Sequence, residues 1–206
     1  MASLLYISSS IFGDNGNSSQ LAAEFIQRWQ AQNPQGQVVE RNLTATPLPH
    51  LDGARVGAFF TPADQRTAEQ QAIVAESDGL IAELRDADVV VVGLPMYNFG
   101  VPSQFKAWVD NIARAGITFK YTESGPVGLL DNKPVLVFAA RGGMYANTPN
   151  DHQEPFVRQF LGFIGLTDVQ FVFAEGVNMG DEAKHKALQG ARAQIDGLLK
   201  KVGEAA

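Results

Sequence analysis

Residues 89–102 constrain the fold of this chain more than any other stretch of the sequence. They begin with four consecutive valines and continue as Gly-Leu-Pro-Met-Tyr-Asn-Phe-Gly-Val-Pro. A run of β-branched residues is typical of a strand covered on both faces, as the inner strands of a parallel sheet are. We therefore predict a central parallel strand that leads into a loop over residues 96–99. Open α/β sheets bind ligands at loops in that position.

Four other short apolar runs alternate with helical patterns along the chain. The further predicted strands lie near residues 4–8, 38–43, 135–140 and 169–174. Apolar residues at helical spacing predict helices over residues 21–29, 73–84, 105–112, 155–164 and 188–202. This alternation predicts a doubly wound α/β fold with right-handed crossovers, formed by residues 1–206 as a single domain.

Two segments fall outside the alternation. Residues 44–62 contain three prolines and two glycines without a clear apolar period, so we predict a long loop that is functional or covers something. Residues 116–132 contain Gly125 and Pro126 and predict a short hairpin or an irregular insertion.

The composition narrows the chemistry. The chain has no cysteine, which excludes disulfides, iron–sulfur ligation and a thiol nucleophile, so a redox reaction would need a bound organic cofactor. The formal net charge of -6 and the pI near 5.0 argue against a nucleic-acid partner, which requires a basic face. The histidines His50, His152 and His185 share no metal-ligand spacing, and we expect no metal site.

The sequence gives no sign of a membrane protein. Its first residues lack a basic start and a signal-like apolar region, and no apolar run approaches the length of a membrane span. We therefore expect no membrane association and a cytoplasmic location.

The loop after the first predicted strand offers groups for a phosphate. It lacks the G-x-G-x-x-G fingerprint of dinucleotide-binding folds and the G-x-x-x-x-G-K-[ST] motif of nucleotide hydrolases. It carries the hydroxyls of Ser10 and Ser18 and the amide of Asn17. Backbone N–H groups near Gly16 lie at the start of a predicted helix, where the dipole favours an anion. The alternative is that these are only loop and helix-capping residues.

Two further loops could hold the flat part of a ligand. In the loop over residues 96–99, Met96 and two aromatic rings could pack on a ring system. The alternative is a buried turn whose aromatic side chains complete the core. Gly142 and Gly143 follow the strand over residues 135–140 and would let backbone N–H groups approach a carbonyl. Two glycines after a strand are more often an ordinary turn.

These three loops follow the first, third and fourth predicted strands. In a flavodoxin-like sheet of order 2-1-3-4-5, those strands are neighbours and straddle the switch point where FMN binds. In that flavodoxin-like arrangement, a doubly wound, five-stranded parallel sheet with helices on both faces, the three loops would form one site at the carboxyl edge, and their positions support the chemistry suggested for each.

Several segments are distinctive beyond this pattern. They are the serines at 9–10 with Asn17 and Ser18, and the segments 95–99 (PMYNF), 102–106 (PSQFK), 113–123 (ARAGITFKYTE), 141–143 (RGG) and 160–165 (FLGFIG). Together they resemble the FMN-dependent NADH azoreductases, a family that also reduces quinones, over nearly the whole chain. The resemblance implies a flavodoxin-like homodimer with one FMN per subunit, active sites at the subunit interface, and a ping-pong reaction.

By position, the resemblance also implies which residues contact the cofactor. The family's phosphate loop is matched by Ser10, Gly16, Asn17 and Ser18, its isoalloxazine loop by Met96, Tyr97, Asn98 and Phe99, and its turn at the pyrimidine edge by Ala140, Arg141, Gly142 and Gly143. Family members often have Ser-x-Ser at residues 16–18 and serine at residue 140, so two side-chain hydrogen bonds would be replaced by backbone donors or lost. Arg141 is either a cation beside the flavin or an anchor for its own loop.

The resemblance further implies the order of the reaction. NADH would stack on the exposed flavin face, deliver a hydride and leave, and a flat quinone, azo compound or nitro aromatic would take its place. The side chains expected to form this slot are Phe60, Phe99, Tyr121 and Phe163, each of which is also a plausible core or interface residue. NADPH is the alternative donor, and Arg55 or Arg66 would then hold its 2′-phosphate or be merely exposed.

Two other functions are compatible with this fold. A flavodoxin-type electron carrier would bind FMN without oxidising NADH directly, and a flavin-free α/β protein would bind no flavin. The loop over residues 44–62 and the insertion over residues 116–132 favour the enzyme, because they suggest a covered, dimeric site.

Overall fold

A computed structural model describes residues 1–205 of the chain, with side chains up to residue 203. The strands are β1 (Ser3–Ser8), β2 (Gln37–Asn42), β3 (Val89–Pro95), β4 (Phe119–Thr122), β5 (Gly125–Gly128), β6 (Val135–Arg141) and β7 (Val169–Glu175). The main sheet is parallel and five-stranded, with the spatial order β2-β1-β3-β6-β7. Counting only the strands of this sheet gives the order 2-1-3-4-5, which confirms the predicted topology.

Helices cover both faces of this sheet. They are α1 (Asn17–Gln32), α2 (Gly53–Phe60), α3 (Ala68–Asp86), α4 (Ser103–Ile112), α5 (Gln153–Ile164), α6 (Asp181–Arg192) and α7 (Ile195–Ala205), with short 3-10 helices at Gly13–Asn15 and Ala63–Gln65. On one face, Leu5 and Ile7 of β1 share a core with α3, α4 and α5. On the other face, Leu4 and Tyr6 share a core with α1, α6 and α7. This alternation along a strand is what a sheet covered on both faces requires.

Strand β3 is the central strand that the four valines predict. Each of its residues is buried. It pairs with β1 through Leu4 and Val89 and with β6 through Val90 and Val135. Since β1 and β6 flank β3, their carboxyl ends and the carboxyl end of β3 open at the same edge of the sheet.

The segment over residues 44–62 is not entirely a loop. It contains helix α2, whose N-terminus is capped by the Asp52 carboxylate, which accepts a 2.8 Å hydrogen bond from the backbone N–H of Arg55. The helix has only eight residues and includes Gly53 and Gly57. Because a helix this short offers barely two turns of periodicity and glycine is a poor helix former, the sequence pattern did not reveal it.

Two other helix boundaries differ from the predicted ones. Helix α5 begins at Gln153, two residues before Pro155, because the Asp151 carboxylate accepts hydrogen bonds from the N–H groups of Gln153 (3.0 Å) and Glu154 (3.1 Å). The last predicted helix is divided into α6 and α7. Its apolar positions keep helical spacing across the division, so periodicity alone gave no sign of it.

The insertion over residues 116–132 contains an antiparallel hairpin of β4 and β5. Of the two predicted forms, the short hairpin is therefore the one observed. The hairpin packs on the end of α5 through two glycines: a Cβ atom at Gly128 would overlap the backbone of Gly165, and one at Gly165 would overlap the carbonyl of Leu130. Leu130 also donates a 3.0 Å hydrogen bond to the Ile164 carbonyl. The hairpin is therefore held against α5 by direct backbone contact.

Within residues 1–205, no helix is long and apolar enough to cross a membrane. Over the same residues, no group of three or more histidine, aspartate or glutamate side chains is arranged to hold a metal ion.

Candidate functional site

The three loops that follow β1, β3 and β6 meet at the carboxyl edge of the main sheet. The backbone N–H of Ile11, in the first loop, donates a 3.1 Å hydrogen bond to the phenolic oxygen of Tyr97, in the second. The N–H of Met96 donates a 3.0 Å bond to the carbonyl of Ala140 at the end of β6. The structure thus brings together the three groups of residues that the sequence places in one site.

The first loop ends at a helix N-terminus that carries no side-chain cap. Gly16 is the N-cap residue of α1, with an extended backbone and no side-chain hydrogen bond to the first helical N–H groups. A Cβ atom at Gly16 would overlap the Ser10 hydroxyl. The missing side chain therefore keeps the first N–H groups of α1 open to an anion, which the helix dipole also favours.

Ser18 supplies a second sign of an anion site. Its side chain is fully buried beneath this N-terminus, yet its Oγ has no hydrogen-bond partner among the residues that the structure describes. The buried hydroxyls of Ser19 and Ser8 lie beside the Tyr6 phenol instead. Ser10 differs, because its Oγ accepts a 3.2 Å hydrogen bond from the N–H of Phe12. A buried hydroxyl without a partner costs free energy, and a bound ligand would remove that cost.

Tyr6 lies under the same part of the site. A Cβ atom at Gly93 would lie 3.2 Å from its phenolic oxygen, so the absence of a side chain at that point in β3 makes room for the ring. Burial raises the pKa of Tyr6 to about 12, and the Ser19 hydroxyl beside the phenol is the largest influence in the opposite direction. The phenol is therefore neutral at physiological pH.

The second loop is a tight two-residue turn. Tyr97 and Gly100 exchange backbone hydrogen bonds of 3.2 and 3.0 Å, and the two residues between them have positive φ angles, 49° for Asn98 and 68° for Phe99. This pattern is a type I′ hairpin turn. Asparagine tolerates the left-handed region, whereas phenylalanine is strained there, and such strain is concentrated at functional sites.

Phe99 is exposed over 56% of its surface, and Asn98 is also exposed. The alternative prediction, a buried turn whose aromatic side chains complete the core, is therefore wrong for Phe99, whereas Tyr97 is half-buried. The Phe99 ring instead packs edge-on against Tyr145, with 5.7 Å between the ring centroids. Tyr145 lies in the segment after β6 and carries no sequence pattern that singled it out.

The third loop is tied to the end of β7. The carbonyls of Arg141, Gly142 and Gly143 accept hydrogen bonds of 3.1, 3.2 and 2.9 Å from the N–H groups of residues 177, 178 and 176. A Cβ atom at Gly142 would lie 2.7 Å from the Asn178 amide. Glycine at this position therefore allows the turn to lie flat on the neighbouring segment, with Ala140 buried at its start.

The Arg141 side chain is fully buried and does not face the crevice. Its guanidinium donates to both carboxylate oxygens of Asp151 (2.7 and 3.2 Å) and to Glu175 (3.2 Å), and it lies 4.4 Å from the centre of the Phe173 ring. Two carboxylates thus neutralise its charge in the interior. These contacts are those of the second predicted role, in which Arg141 anchors its own loop.

The aromatic side chains predicted to line the slot fall into separate groups. Phe163 and Tyr121 both contact Phe119, with ring centroids 4.3 and 5.7 Å apart, so the hairpin and α5 bring them together. Tyr121 is 75% exposed and Phe60, at the end of α2, is 74% exposed. The surface next to Phe163 is an apolar groove of about 490 Å³, lined by Pro126, Phe156, Gln159, Phe160 and Phe163.

The two arginines considered for the 2′-phosphate of NADPH already have hydrogen-bond partners within the protein. Arg55 is buried and donates to Asn111 (2.9 Å) and to Glu76. Arg66 is partly buried and donates a 3.0 Å hydrogen bond to the carbonyl of Thr61. Arg114 lies 4.4 Å from the ring of Phe59 and holds α2 against the protein, and burial lowers the pKa of its guanidinium. These cations serve the fold around residues 44–62.

Comparison with known proteins places the chain among flavin-dependent reductases. A family model described as "Flavodoxin-like fold" matches residues 2–199. The FMN-dependent NADH:quinone oxidoreductase of Alcanivorax borkumensis is 61% identical over 192 residues, which cover 93% of this chain and 97% of that protein. The protein of the same name from Cellvibrio japonicus is 58% identical over 196 residues, which cover 95% of this chain and 98% of that protein.

Solved structures with the same architecture include two from Bacillus anthracis. The azoreductase of strain Sterne superimposes with a TM-score of 0.88 at 28% identity and covers 98% of this chain and 100% of its own. The FMN-dependent NADH-azoreductase of strain Ames Ancestor, in complex with FMN, has a TM-score of 0.88 at 26% identity and covers 98% of this chain and 99% of its own.

Proposed function

Because the chain belongs to the family of FMN-dependent NADH:quinone oxidoreductases, within the flavodoxin-like fold, we propose that it binds FMN and reduces quinones and azo compounds with NADH. The observation that carries this proposal is the uncapped N-terminus of α1, with the unpartnered Ser18 hydroxyl beneath it, beside the strained turn at Asn98 and Phe99.

The residues at the carboxyl edge fit FMN. The N–H groups at the start of α1, with Ser10, Asn17 and Ser18, would hold the phosphate, because the site offers donors and no cation is required. The turn over residues 96–99 would lie against the isoalloxazine ring, and backbone groups of residues 140–143 would face its pyrimidine edge. When bound, FMN supplies the hydride chemistry, and the protein supplies orientation and exclusion of water.

The aromatic side chains suit flat electron acceptors. We assign Phe60, Phe99, Tyr121 and Phe163 to a slot that NADH and the acceptor occupy in turn, as a ping-pong reaction requires. A slot of this kind selects by shape and stacking, so quinones, azo compounds and nitro aromatics are all candidate acceptors. We propose NADH in preference to NADPH, because Arg55 and Arg66 already have partners within the fold.

Exposed apolar surface supports a homodimer. Phe60, Tyr121 and the groove beside Phe163 are large apolar features on the surface of an isolated subunit. A second copy would cover them and complete the two slots, with one FMN per subunit. We further propose that residues 1–206 act as one FMN-binding domain in the cytoplasm, without a nucleic-acid or membrane partner.

Anaerobic reduction tests the proposed function. The purified protein is reconstituted with FMN and mixed with NADH in a stopped-flow instrument, and a quinone is then added. We expect stoichiometric FMN, loss of the flavin absorbance with NADH, and its return with the quinone. A protein that binds no FMN is not a flavoenzyme of this kind. A protein that binds FMN but does not react with NADH is the flavodoxin-type electron carrier.

A further inference from the structure

Gln153 occupies an unusual position behind the turn over residues 97–100. It is the first residue of α5 and is fully buried. Its side-chain N–H₂ donates to the carbonyl of Pro95 (2.9 Å) and to the carbonyl of Gly100 (3.4 Å). These two residues lie immediately before and at the close of the loop, so a single amide holds both of its ends.

Arg141 fixes the orientation of this amide. Its Nε donates a 3.2 Å hydrogen bond to the Gln153 Oε1 atom. A guanidinium has only donors, so the oxygen of the amide must face Arg141 and the nitrogen must face the two carbonyls. The guanidinium is itself held by Asp151 and Glu175, which makes the amide a rigid link between the buried ion pairs and the turn.

The turn needs such a link because its conformation is costly. Both central residues have left-handed backbone conformations, and this conformation is sterically unfavourable for a phenylalanine. Strained conformations persist only where the surroundings determine them, and here the surroundings include the hydrogen bonds at Pro95 and Gly100. Without the amide, the buried Pro95 carbonyl would lose this donor, the half-buried Gly100 carbonyl would keep only the Tyr97 N–H, and the turn could relax.

We propose that Gln153 is a positioning residue that holds the turn of Asn98 and Phe99 in the conformation that receives the flavin ring. The proposal deepens the proposed function and rests on it. Gln153 does not touch the ring in this assignment, since its amide is buried behind the turn. Its effect passes through the carbonyls of Pro95 and Gly100.

The first test compares Q153M with V157A. Methionine keeps the length of the side chain and removes its three hydrogen bonds, to Pro95, Gly100 and Arg141. Val157 is a buried core residue of the same helix whose side chain makes no hydrogen bond to these groups. The measurements are the melting temperature, the dissociation constant of FMN from quenching of its fluorescence, and hydrogen exchange of the Tyr97 and Gly100 amides in the FMN-free protein.

We expect both variants to melt at lower temperature. Only Q153M should lose protection at the Tyr97 and Gly100 amides, which bond each other across the turn, and weaken FMN binding by about tenfold, the effect of leaving a buried carbonyl unpaired. If protection and FMN affinity are the same in Q153M and V157A, Gln153 only stabilises α5 and the proposal is overturned.

The second test uses Q153E, whose side chain has the shape and size of glutamine. It keeps the proposal testable if Q153M does not fold. The groups that face this position are Arg141, Asp151 and Glu175. An ionised carboxylate would repel the Pro95 carbonyl, whereas a protonated one would donate to it. We therefore expect FMN affinity, relative to the unmodified protein, to rise as the pH falls from about 8 to about 5. A ratio that does not change with pH would contradict the proposal.

The failure of this inference differs from the failure of the proposed function. If the unmodified protein binds no FMN, the proposed function is wrong. If the unmodified protein binds FMN and the Gln153 variants bind it equally well with a protected turn, only the role of Gln153 is wrong.

Discussion

The phenolic oxygen of Tyr97 accepts a 3.1 Å hydrogen bond from the backbone N–H of Ile11. The bond joins the loop that would hold the phosphate to the turn that would hold the ring. We predict that Tyr97→Phe, which keeps the ring of the side chain, weakens FMN binding by about fivefold, the effect of losing one hydrogen bond worth about 1 kcal/mol. Fluorescence titration with FMN checks this value. Unchanged affinity would mean that the two loops are fixed independently of each other.

Ser18→Ala should have opposite effects on stability and binding. Because the buried Ser18 Oγ has no partner among the described residues, its removal should stabilise the FMN-free protein by about 1 kcal/mol. FMN should bind more weakly, since the phosphate would lose a donor. Denaturant unfolding and FMN titration measure the two effects. Ser19→Ala is the matched control, because it removes a neighbouring buried hydroxyl that lies beside Tyr6, and it should leave FMN affinity unchanged.

At residue 99, glycine should give a more stable protein than alanine, which is the reverse of their usual order. At a φ of 68°, glycine relieves strain that alanine keeps, so Phe99→Gly should be more stable than Phe99→Ala by about 1 kcal/mol. Both variants lose the ring, and both should reduce quinone more slowly than the unmodified protein. Urea unfolding ranks the two. A Phe99→Ala protein that is the more stable one would show that the turn changes conformation freely.

The contact between Gly128 and Gly165 predicts an effect on the hairpin. Gly165→Ala places a Cβ atom against the Leu130 carbonyl at a φ of 109°, and we expect a loss of stability of about 2 kcal/mol or more. Since the hairpin carries Tyr121, the KM for quinone should rise while FMN affinity changes little. Gly162→Ala, on α5 where a Cβ atom meets nothing within 4 Å, should instead gain about 1 kcal/mol. If both substitutions changed the stability equally, the close contact of the hairpin with Gly165 would be contradicted.

Tyr6 predicts a loss of stability in alkaline solution. Its folded-state pKa of about 12 is above the unfolded value of 10.0, so the folded protein holds the proton more tightly. The corresponding stability is complete below the unfolded pKa and is lost as the pH rises from about 10 to about 12, with an amplitude of about 3 kcal/mol. Tyr6→Phe should remove this part of the pH dependence. Denaturant unfolding of both proteins across that range measures the difference, and parallel curves would show that Tyr6 does not contribute.

Much of the fold follows from local sequence patterns. The four valines of β3 predict a buried central strand because β-branched side chains tolerate few other environments. The topology then places the loops after β1, β3 and β6 at one edge, which allows the site to be located before any contact is known. Helix α2 was missed, because its stability depends on the Asp52 cap and on Arg55 and Arg114, which contact partners in other segments.

The chemistry inside the site was less accessible to sequence reasoning. The role of Arg141 depends on Asp151 and Glu175, which approach it only in the folded chain. Gln153 has no periodic or motif signal, since its function is set by which carbonyls its amide reaches. The left-handed turn was equally hidden, because Asn-Phe does not have the glycine that usually marks a type I′ hairpin.

The left-handed Phe99 has a practical consequence for engineering this protein. A campaign that selects only for thermal stability would favour alanine at residue 18, and glycine over alanine at residue 99, because each choice relieves a cost of the folded chain. Each gain would also remove a group that we assign to binding of the flavin or its substrate. Thermostable variants should therefore be sought away from the carboxyl edge of the sheet, for example at Gly162.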